Sequence, residues 1–280
     1  IFYDLDIKET QKLREIIIQN KITSVIHFAA LKSVSDSLIK PLEYYDVNVV
    51  GTLSLLSAMR STGVKNFLFS SSASIYGEPK YCPIDEKHLL NALNPYAHTK
   101  IIIEKILKDL LKVETDWSVV CLRYFNPIGA HESTLIGDDP LSNESSNLMP
   151  AILKVVQGFE DSLKIFGDDY ATKDGTGVRD YIHIMDLSEA HYAALDFISE
   201  TKGINFFNIG TGKGVSVLEL IKTFENISGF NLPIEISKRR SGDCSSCYAN
   251  PEKANKILKW NAKYDLYEMC ESAWKFSSNN

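Results

Sequence analysis

Four short runs rich in β-branched and aromatic residues, 24–30, 66–71, 118–125 and 204–209, alternate with stretches whose apolar residues recur at helical spacing, 8–20, 42–62, 95–112 and 186–200. Strands joined through helices have little topological freedom, because each crossover is right-handed and the helices must cover the faces of a shared parallel sheet. The alternation therefore predicts an α/β chain built on a doubly wound, parallel, Rossmann-like sheet. Its ligands should gather outside the carboxyl ends of the strands.

After Asn126 the character changes, with a polar loop at 129–146 and a Gly- and Asp-rich cluster at 167–177. Residues 1–126, rejoined by 179–210, read as an incomplete Rossmann-like domain. Residues 127–178 and 211–280 read as a smaller mixed α/β substrate-binding region, with helices predicted at 216–229 and 251–259. No G-x-x-G-x-x-G turn follows a first strand, although that loop normally brings backbone N–H groups to a pyrophosphate. The chain opens at Ile1 in what reads as a late strand carrying Asp4 and Asp6. The expectation is a fragment lacking its first strands, about 50 residues or somewhat more than one βαβ unit. The alternative is a naturally degenerate protein.

A net charge of -6 and the absence of any basic tract give no electrostatic case for nucleic acid or an anionic membrane. Apolar runs such as 118–122 and 101–103 are too short to span a bilayer, and no signal peptide opens the sequence, so a cytoplasmic location is expected. The five irregularly spaced cysteines do not form a secreted disulfide framework.

In the third helical stretch, Asn94 reads as an N-cap and Pro95 as the first helical residue, so Tyr96 and Lys100, four residues apart, project from one face. Ile103, Leu107 and Leu110 continue that stripe, which makes it the inward face. A charge there is costly unless it has a task. A buried ammonium beside a phenol favours the phenolate, and bringing a phenol from about 10 to neutrality takes roughly 3 pH units, about 4 kcal/mol. The pair is a candidate proton acceptor, weighed against an ordinary amphipathic helix on which a Tyr and a Lys meet by chance. Ser70, Ser71 and Ser72 follow a strand and place hydroxyls at the sheet's carboxyl edge, either for proton transfer to a substrate or as a simple strand end.

The strings S-S-S-A-S-I-Y-G at Ser70, N-P-Y-A-H-T-K at Asn94, L-R-Y-F-N-P-I-G-A-H at Leu122, N-L-M-P at Asn147 and D-G-T-G-V-R-D-Y-I-H-I-M-D-L at Asp174 together resemble the UDP-glucose 4-epimerases of the extended short-chain dehydrogenase/reductase superfamily. The resemblance spans nearly the whole chain. It implies a UDP-hexose substrate, tightly held NAD and a homodimer formed through a bundle including the Leu42 and Pro95 helices. It assigns Tyr96 as catalytic base, Lys100 to the nicotinamide ribose and to tuning Tyr96, and Ser72 to the sugar 4-hydroxyl. The implied chemistry is reversible oxidation at C4 through a 4-keto sugar, serving galactose metabolism.

Such an enzyme must anchor the nucleotide while the hexose turns over. Resemblance places Arg179 and Arg240 on the diphosphate, which guanidinium forks suit. It places Asp243 at the uridine ribose, Asn126, Asn147 and Leu148 in the nucleotide-sugar pocket, and Phe166 beside uracil. On the cofactor side, Phe28, Ala29, Ala30, Leu31 and Lys32 follow what reads as a buried strand and match an F-A-G-L-K segment, with Ala30 replacing glycine. Asp6 and Ile7 match an adenine-contacting G-D-I segment, with Leu5 where glycine is common. Tyr124 and Phe125 match the nicotinamide end. A plain core role is the alternative for Phe28, Ala29 and Phe125.

Cys247 corresponds to a gate beside the hexose that carries a bulky Tyr in some relatives, so its small side chain implies use of UDP-N-acetylglucosamine and UDP-N-acetylgalactosamine as well. Cys244 and Cys247 form a C-x-x-C, but no companion ligand pair supports a metal. The stretch 210–214 lacks phosphate-loop spacing and reads as a tight turn. His183 reads as a hydrogen-bonding core residue, and His98 as pointing off the catalytic stripe. A nucleotide-sugar 4,6-dehydratase would carry an acidic pair just after the strand-end hydroxyl, whereas Ser72 is followed by Ala73 and Ser74. A non-catalytic nucleotide-sugar-binding fragment or pseudoenzyme is the competing reading from another class.

Overall fold

The computed structural model describes residues 1–140, 147–240 and 242–279. Part of the polar loop expected at 129–146 therefore lies outside the described residues. In chain order the elements begin with α1 (Thr10–Gln19), β1 (Ser24–His27), α2 (Val34–Ile39), α3 (Pro41–Tyr44), α4 (Gly51–Thr62), β2 (Asn66–Ser70), α5 (Pro95–Val113) and β3 (Ser118–Tyr124). They continue with β4 (Asn126–Ile128), α6 (Leu148–Val156), β5 (Leu163–Phe166), β6 (Val178–Arg179), β7 (Tyr181–His183), α7 (Ile184–Glu200) and β8 (Gly203–Ile209). The last are β9 (Val215–Ser216), α8 (Val217–Ser228), β10 (Ile234–Ser237), β11 (Ser246–Cys247), α9 (Glu252–Ile257) and α10 (Leu266–Asn279). Contacts divide the chain into two compact units, 1–75 with 92–123 and 191–207, and 76–91 with 124–190 and 208–280.

The first unit holds a four-stranded sheet in the order β1-β2-β3-β8, with β1 to β2 and β2 to β3 parallel. β3 is buried along six successive residues, as a central strand covered on both faces must be. β1 departs from expectation: it ends at His27, occupies the edge of this sheet, and leaves Ile26 36% exposed. The stretch predicted as buried is thus an edge strand, because only β2 pairs with it among the described residues. A second correction concerns Ile1 to Asp6, which form no strand; a strand needs a laterally paired neighbour, and the Asp6 carboxylate instead accepts from Lys8 N at 2.8 Å in a turn before α1. Phe67, Phe69, Ile103, Leu107, Trp117 and Val119 form the core.

The helical stretch predicted at 42–62 is not uniform. Residues Tyr45–Val50 wind as a π-helix between α3 and α4, and inserted residues of this kind redirect a side chain. The redirected residue is Asn48, fully buried. Its amide accepts from Leu31 N at 2.8 Å, donates to Leu31 O at 3.0 Å and reaches Thr99 Oγ1 at 3.1 Å, tying the loop after β1 to α5.

The second unit contains three small sheets, β10-β5, β11-β6-β9 and β4-β7. Its core gathers Ile152, Leu163, Ile165, Leu220, Phe224 and Met269. Helix α8 begins and ends as its sequence indicates, with the Ser216 hydroxyl accepting from Glu219 N and Gly229 in the left-handed conformation. Helices α6 and α10 are additions to the predicted set. The turn at 210–214 closes on Asp180, whose carboxylate accepts from Thr211 N at 2.8 Å, Thr211 Oγ1 at 2.7 Å, Gly212 N at 3.0 Å and Ala249 N at 3.0 Å. Amides that a phosphate loop would offer to a ligand are thereby committed to a buried side chain.

His27 reports on the first core. Its Nε2 donates to Thr52 Oγ1 at 2.8 Å, since that hydroxyl already donates to Asn48 O. Burial, reinforced by the Lys100 charge, pushes its pKa down to about 3. A buried neutral histidine stabilises the fold fully above its unfolded pKa near 6.5, and that contribution drains away as pH falls toward about 3, up to about 5 kcal/mol. Urea midpoints measured from pH 7 to pH 4 should fall more steeply for the native chain than for a His27→Gln variant.

Candidate functional site

Two sets of predicted residues converge, one in each unit. In the first, Asn94 caps α5 by accepting from Ala97 N at 2.9 Å, and Pro95 occupies the first turn. The cap fixes where the helix starts, and hence that Tyr96 and Lys100 face inward while His98 is exposed. Tyr96 is 8% and Lys100 3% exposed. The Lys100 ammonium donates to Ser70 O at 2.8 Å and stands 4.9 Å from the Phe69 ring centre and 5.7 Å from that of Tyr96. Burial lowers its pKa to about 8.

One turn further along α5, Glu104 was not anticipated from the sequence. Its carboxylate accepts from Ser71 Oγ at 2.8 Å and forms a fully buried fork with Arg123, whose Nε lies at 3.0 Å and Nη2 at 2.6 Å. Helix and strand end are therefore bound at consecutive positions, Lys100 to Ser70 and Glu104 to Ser71. Ser72 comes next, and its oxygen accepts from Ser74 N at 3.2 Å and Ser74 Oγ at 2.9 Å. A hydroxyl that already accepts twice has its own proton to donate. The spacing 96, 100, 104 is the signal that could have found Glu104, since it extends the same inward stripe by one turn.

The chemistry of this set fits a polar cofactor. An ammonium has three donors, and among the described residues Lys100 uses one on Ser70 O, leaving donors suited to ribose hydroxyls. Phe28 is 59% exposed and its ring lies tilted against that of His191 at 4.8 Å between ring centres, so the core alternative for Phe28 does not hold. Ala29 and Lys32 are exposed, Ala30 half-buried, and Leu31 is held by Asn48. Asp6 is exposed, whereas Ile7 packs at Gly51, where an added Cβ would lie 2.9 Å from Ile7 Cδ1.

In the second unit, β6 and β11 run in parallel register with Arg179 opposite Cys247. Arg179 Nη2 lies 3.6 Å from Asp243 Oδ1. The Arg240 guanidinium covers the Phe166 ring at 3.7 Å, and Arg239 lies at 4.1 Å over Tyr170 while its Nε donates to Asp169 Oδ1 at 2.7 Å. The Tyr170 hydroxyl is buried and has no hydrogen-bond partner among the described residues. Asn126 lies on β4 opposite Tyr181 of β7, and Phe125 is buried just before it, its N–H donating to Ile209 O. Tyr124 is half-buried. Asn147 and Leu148 open α6, the first exposed and the second half-buried. His183 is satisfied, accepting from Met185 N at 3.0 Å on Nδ1, with Nε2 at 2.9 Å from Ser272 Oγ.

A sequence-family profile described as GDP-mannose 4,6 dehydratase matches residues 1–273. A UDP-glucose 4-epimerase from Bacillus subtilis is 47% identical over 279 residues, which is all of this chain and 82% of that protein. A UDP-glucose 4-epimerase structure from Stenotrophomonas maltophila with bound NAD and formylated UDP-arabinopyranose superposes with a TM-score of 0.96 at 43% identity, over 100% of this chain and 83% of that one. The Bifidobacterium longum UDP-glucose 4-epimerase in complex with NAD+ and UDP gives 0.95 at 44% identity, over 99% and 83%.

A buried lysine held charged at neutral pH is a stability cost. Relative to an unfolded pKa of 10.5, the lowered folded value penalises the charged form below about 8, and the penalty disappears as pH rises to 10.5. Lys100→Met should therefore raise unfolding free energy at pH 7 by about 1–2 kcal/mol after allowing for the lost bond to Ser70 O. Urea denaturation at pH 7 and pH 10 should show the gain shrinking at the higher pH.

Proposed function

The chain belongs to the UDP-glucose 4-epimerase family, and on that premise we propose that it interconverts UDP-glucose and UDP-galactose by reversible oxidation at C4, a step of galactose metabolism. The observation that carries this reading is the buried Lys100 on the same helical face as Tyr96, bound to the strand end that leads to Ser72. When bound, NAD supplies a reversible hydride acceptor at the sugar C4. Lys100 would hold its ribose, with the segment from Phe28 to Lys32 alongside. Tyr96 accepts the proton of the 4-hydroxyl and returns it once the 4-keto sugar has presented its other face. Ser72 donates to the same oxygen and orients it. Arg179, Arg240 and Asp243 hold the nucleotide, Phe166 supports uracil from beneath Arg240, and Asn126, Asn147 and Leu148 line the sugar side.

The dehydratase named by the profile is the weaker reading, because Ala73 and Ser74 follow Ser72 in a 3-10 turn where elimination of water needs an acidic pair. The half-buried Cys247 supports a wider substrate range that includes the N-acetylated UDP-hexoses. The exposed apolar residues Leu38, Ile39, Leu42, Val50 and Leu53 on and between α2 and α4 support a homodimer.

UDP-galactose turnover with added NAD tests the central reading. Tyr96→Phe should lower kcat by at least about 100-fold while UDP binding by calorimetry stays within about twofold. Absence of turnover in the native chain, with UDP still bound, would favour a non-catalytic binding protein. For substrate range, Cys247→Tyr should suppress turnover of UDP-N-acetylgalactosamine far more than that of UDP-galactose; equal losses would remove the gate.

A further inference from the structure

β1 and β2 run in register as far as the pair His27 and Phe69 and then part. β2 continues through Ser70, which pairs with Leu122 of β3, while the chain leaves β1 after His27. Where neighbouring strands diverge at their carboxyl ends, an open parallel sheet has the crevice that receives a ligand. One side chain contacts the first residue beyond that last pair on each segment. His191 Nε2 lies 3.3 Å from Ser70 Oγ, and the His191 and Phe28 ring centres are 4.8 Å apart.

His191 belongs to α7, where Leu187, Ala190, Ala194 and Ile198 are all buried. Those positions and 191 make one helical stripe, which an apolar residue at 191 would complete. The imidazole there is only 6% exposed, and the residue it meets, Ser70, only 1%. Polar groups this deep are kept because they bond, and their removal leaves a partner unsatisfied.

Both partners of His191 lie on the cofactor side of the site. Ser70 O accepts from Lys100 Nζ at 2.8 Å, so the residue that meets the imidazole through its hydroxyl holds the ammonium through its carbonyl. Phe28 opens the segment 28–32. Three residues on, Leu31 is tied to Asn48 through both its N–H and its carbonyl. The segment is thus held at Leu31 by an amide and flanked at Phe28 by the imidazole ring.

We propose that His191 is a positioning residue for the dinucleotide, setting the Phe28 ring directly and the Lys100 ammonium through Ser70. The proposal rests on the cofactor reading of segment 28–32 and Lys100. Truncating the imidazole opens a cavity beside Phe28 and takes a partner from the Ser70 hydroxyl, so both supports relax together. Arg179, Arg240 and Asp243, assigned to the nucleotide of the sugar substrate, lie in the other unit and keep their contacts. Loss of dinucleotide affinity without loss of UDP affinity is the signature of this arrangement.

The test titrates the native chain, His191→Ala, His191→Gln and Ile198→Val with NADH, read by the fluorescence of the bound nicotinamide, and with UDP by calorimetry. His191→Ala should bind NADH about tenfold more weakly, with UDP affinity within about twofold of native. At saturating NAD its kcat for UDP-galactose should fall about tenfold while KM stays within about twofold. Glutamine carries an amide near the place of Nε2 and keeps a bond to Ser70, so His191→Gln should recover NADH affinity to within about threefold of native. Ile198→Val, a core change about two turns along α7, should match the native chain in every reading. Unaltered NADH affinity in His191→Ala, a glutamine variant no better than alanine, or parallel loss of NADH and UDP binding in both variants each overturns the proposal. A native chain that binds UDP but no NADH overturns the cofactor reading, and the role of His191 with it.

Discussion

The ammonium of Lys100 has one described protein bond, to Ser70 O, in surroundings dry enough to lower its pKa to about 8. Burying a lysine in this way costs the fold more than almost any apolar residue would at the same place. The local architecture makes sense as a means of holding that charge. The Asn94 cap sets the phase of α5, Phe69 and Tyr96 offer ring faces, and the end of β2 offers its carbonyl.

The Glu104–Arg123 fork meets the same demand one turn away. A buried ion pair gains little net stability unless its geometry is good and its remaining acceptor sites are filled. Here the carboxylate is bidentate to Arg123 and also accepts from Ser71, and the Arg123 guanidinium lies 4.6 Å from the Phe206 ring centre. Its structural result is fixed spacing between helix and strand end at Ser70 and Ser71. That fixes the backbone leading to Ser72. Asn48 does comparable work on the opposite side, joining Leu31 and Thr99.

The second unit uses charge differently. Asp180 is fully buried and occupied by four donors from the 211–212 turn and Ala249, so it is structural. Its chain neighbour Arg179 turns toward Asp243 at 3.6 Å, and Arg240 rests on Phe166. Extended backbone sends adjacent residues to opposite sides, and this separates the buried anchor Asp180 from the Arg179 guanidinium that faces Asp243.

The alternation of apolar runs with helical stripes was enough to specify a parallel sheet, because only a covered sheet satisfies such runs and their backbone groups together. Tyr96 and Lys100 were legible because cap, proline and stripe are local signals separated by one helical turn. Glu104, Arg123 and Asn48 were not, since their roles depend on partners 17 to 51 positions away and, for Asn48, on a π-helical insertion without a sequence signature. The contact of Phe28 with His191 likewise joins segments far apart in sequence. Local periodicity determined which elements form and which way they face. Only tertiary structure decided which buried charges meet, because the energy of a buried charge is set by neighbours that folding alone brings into contact.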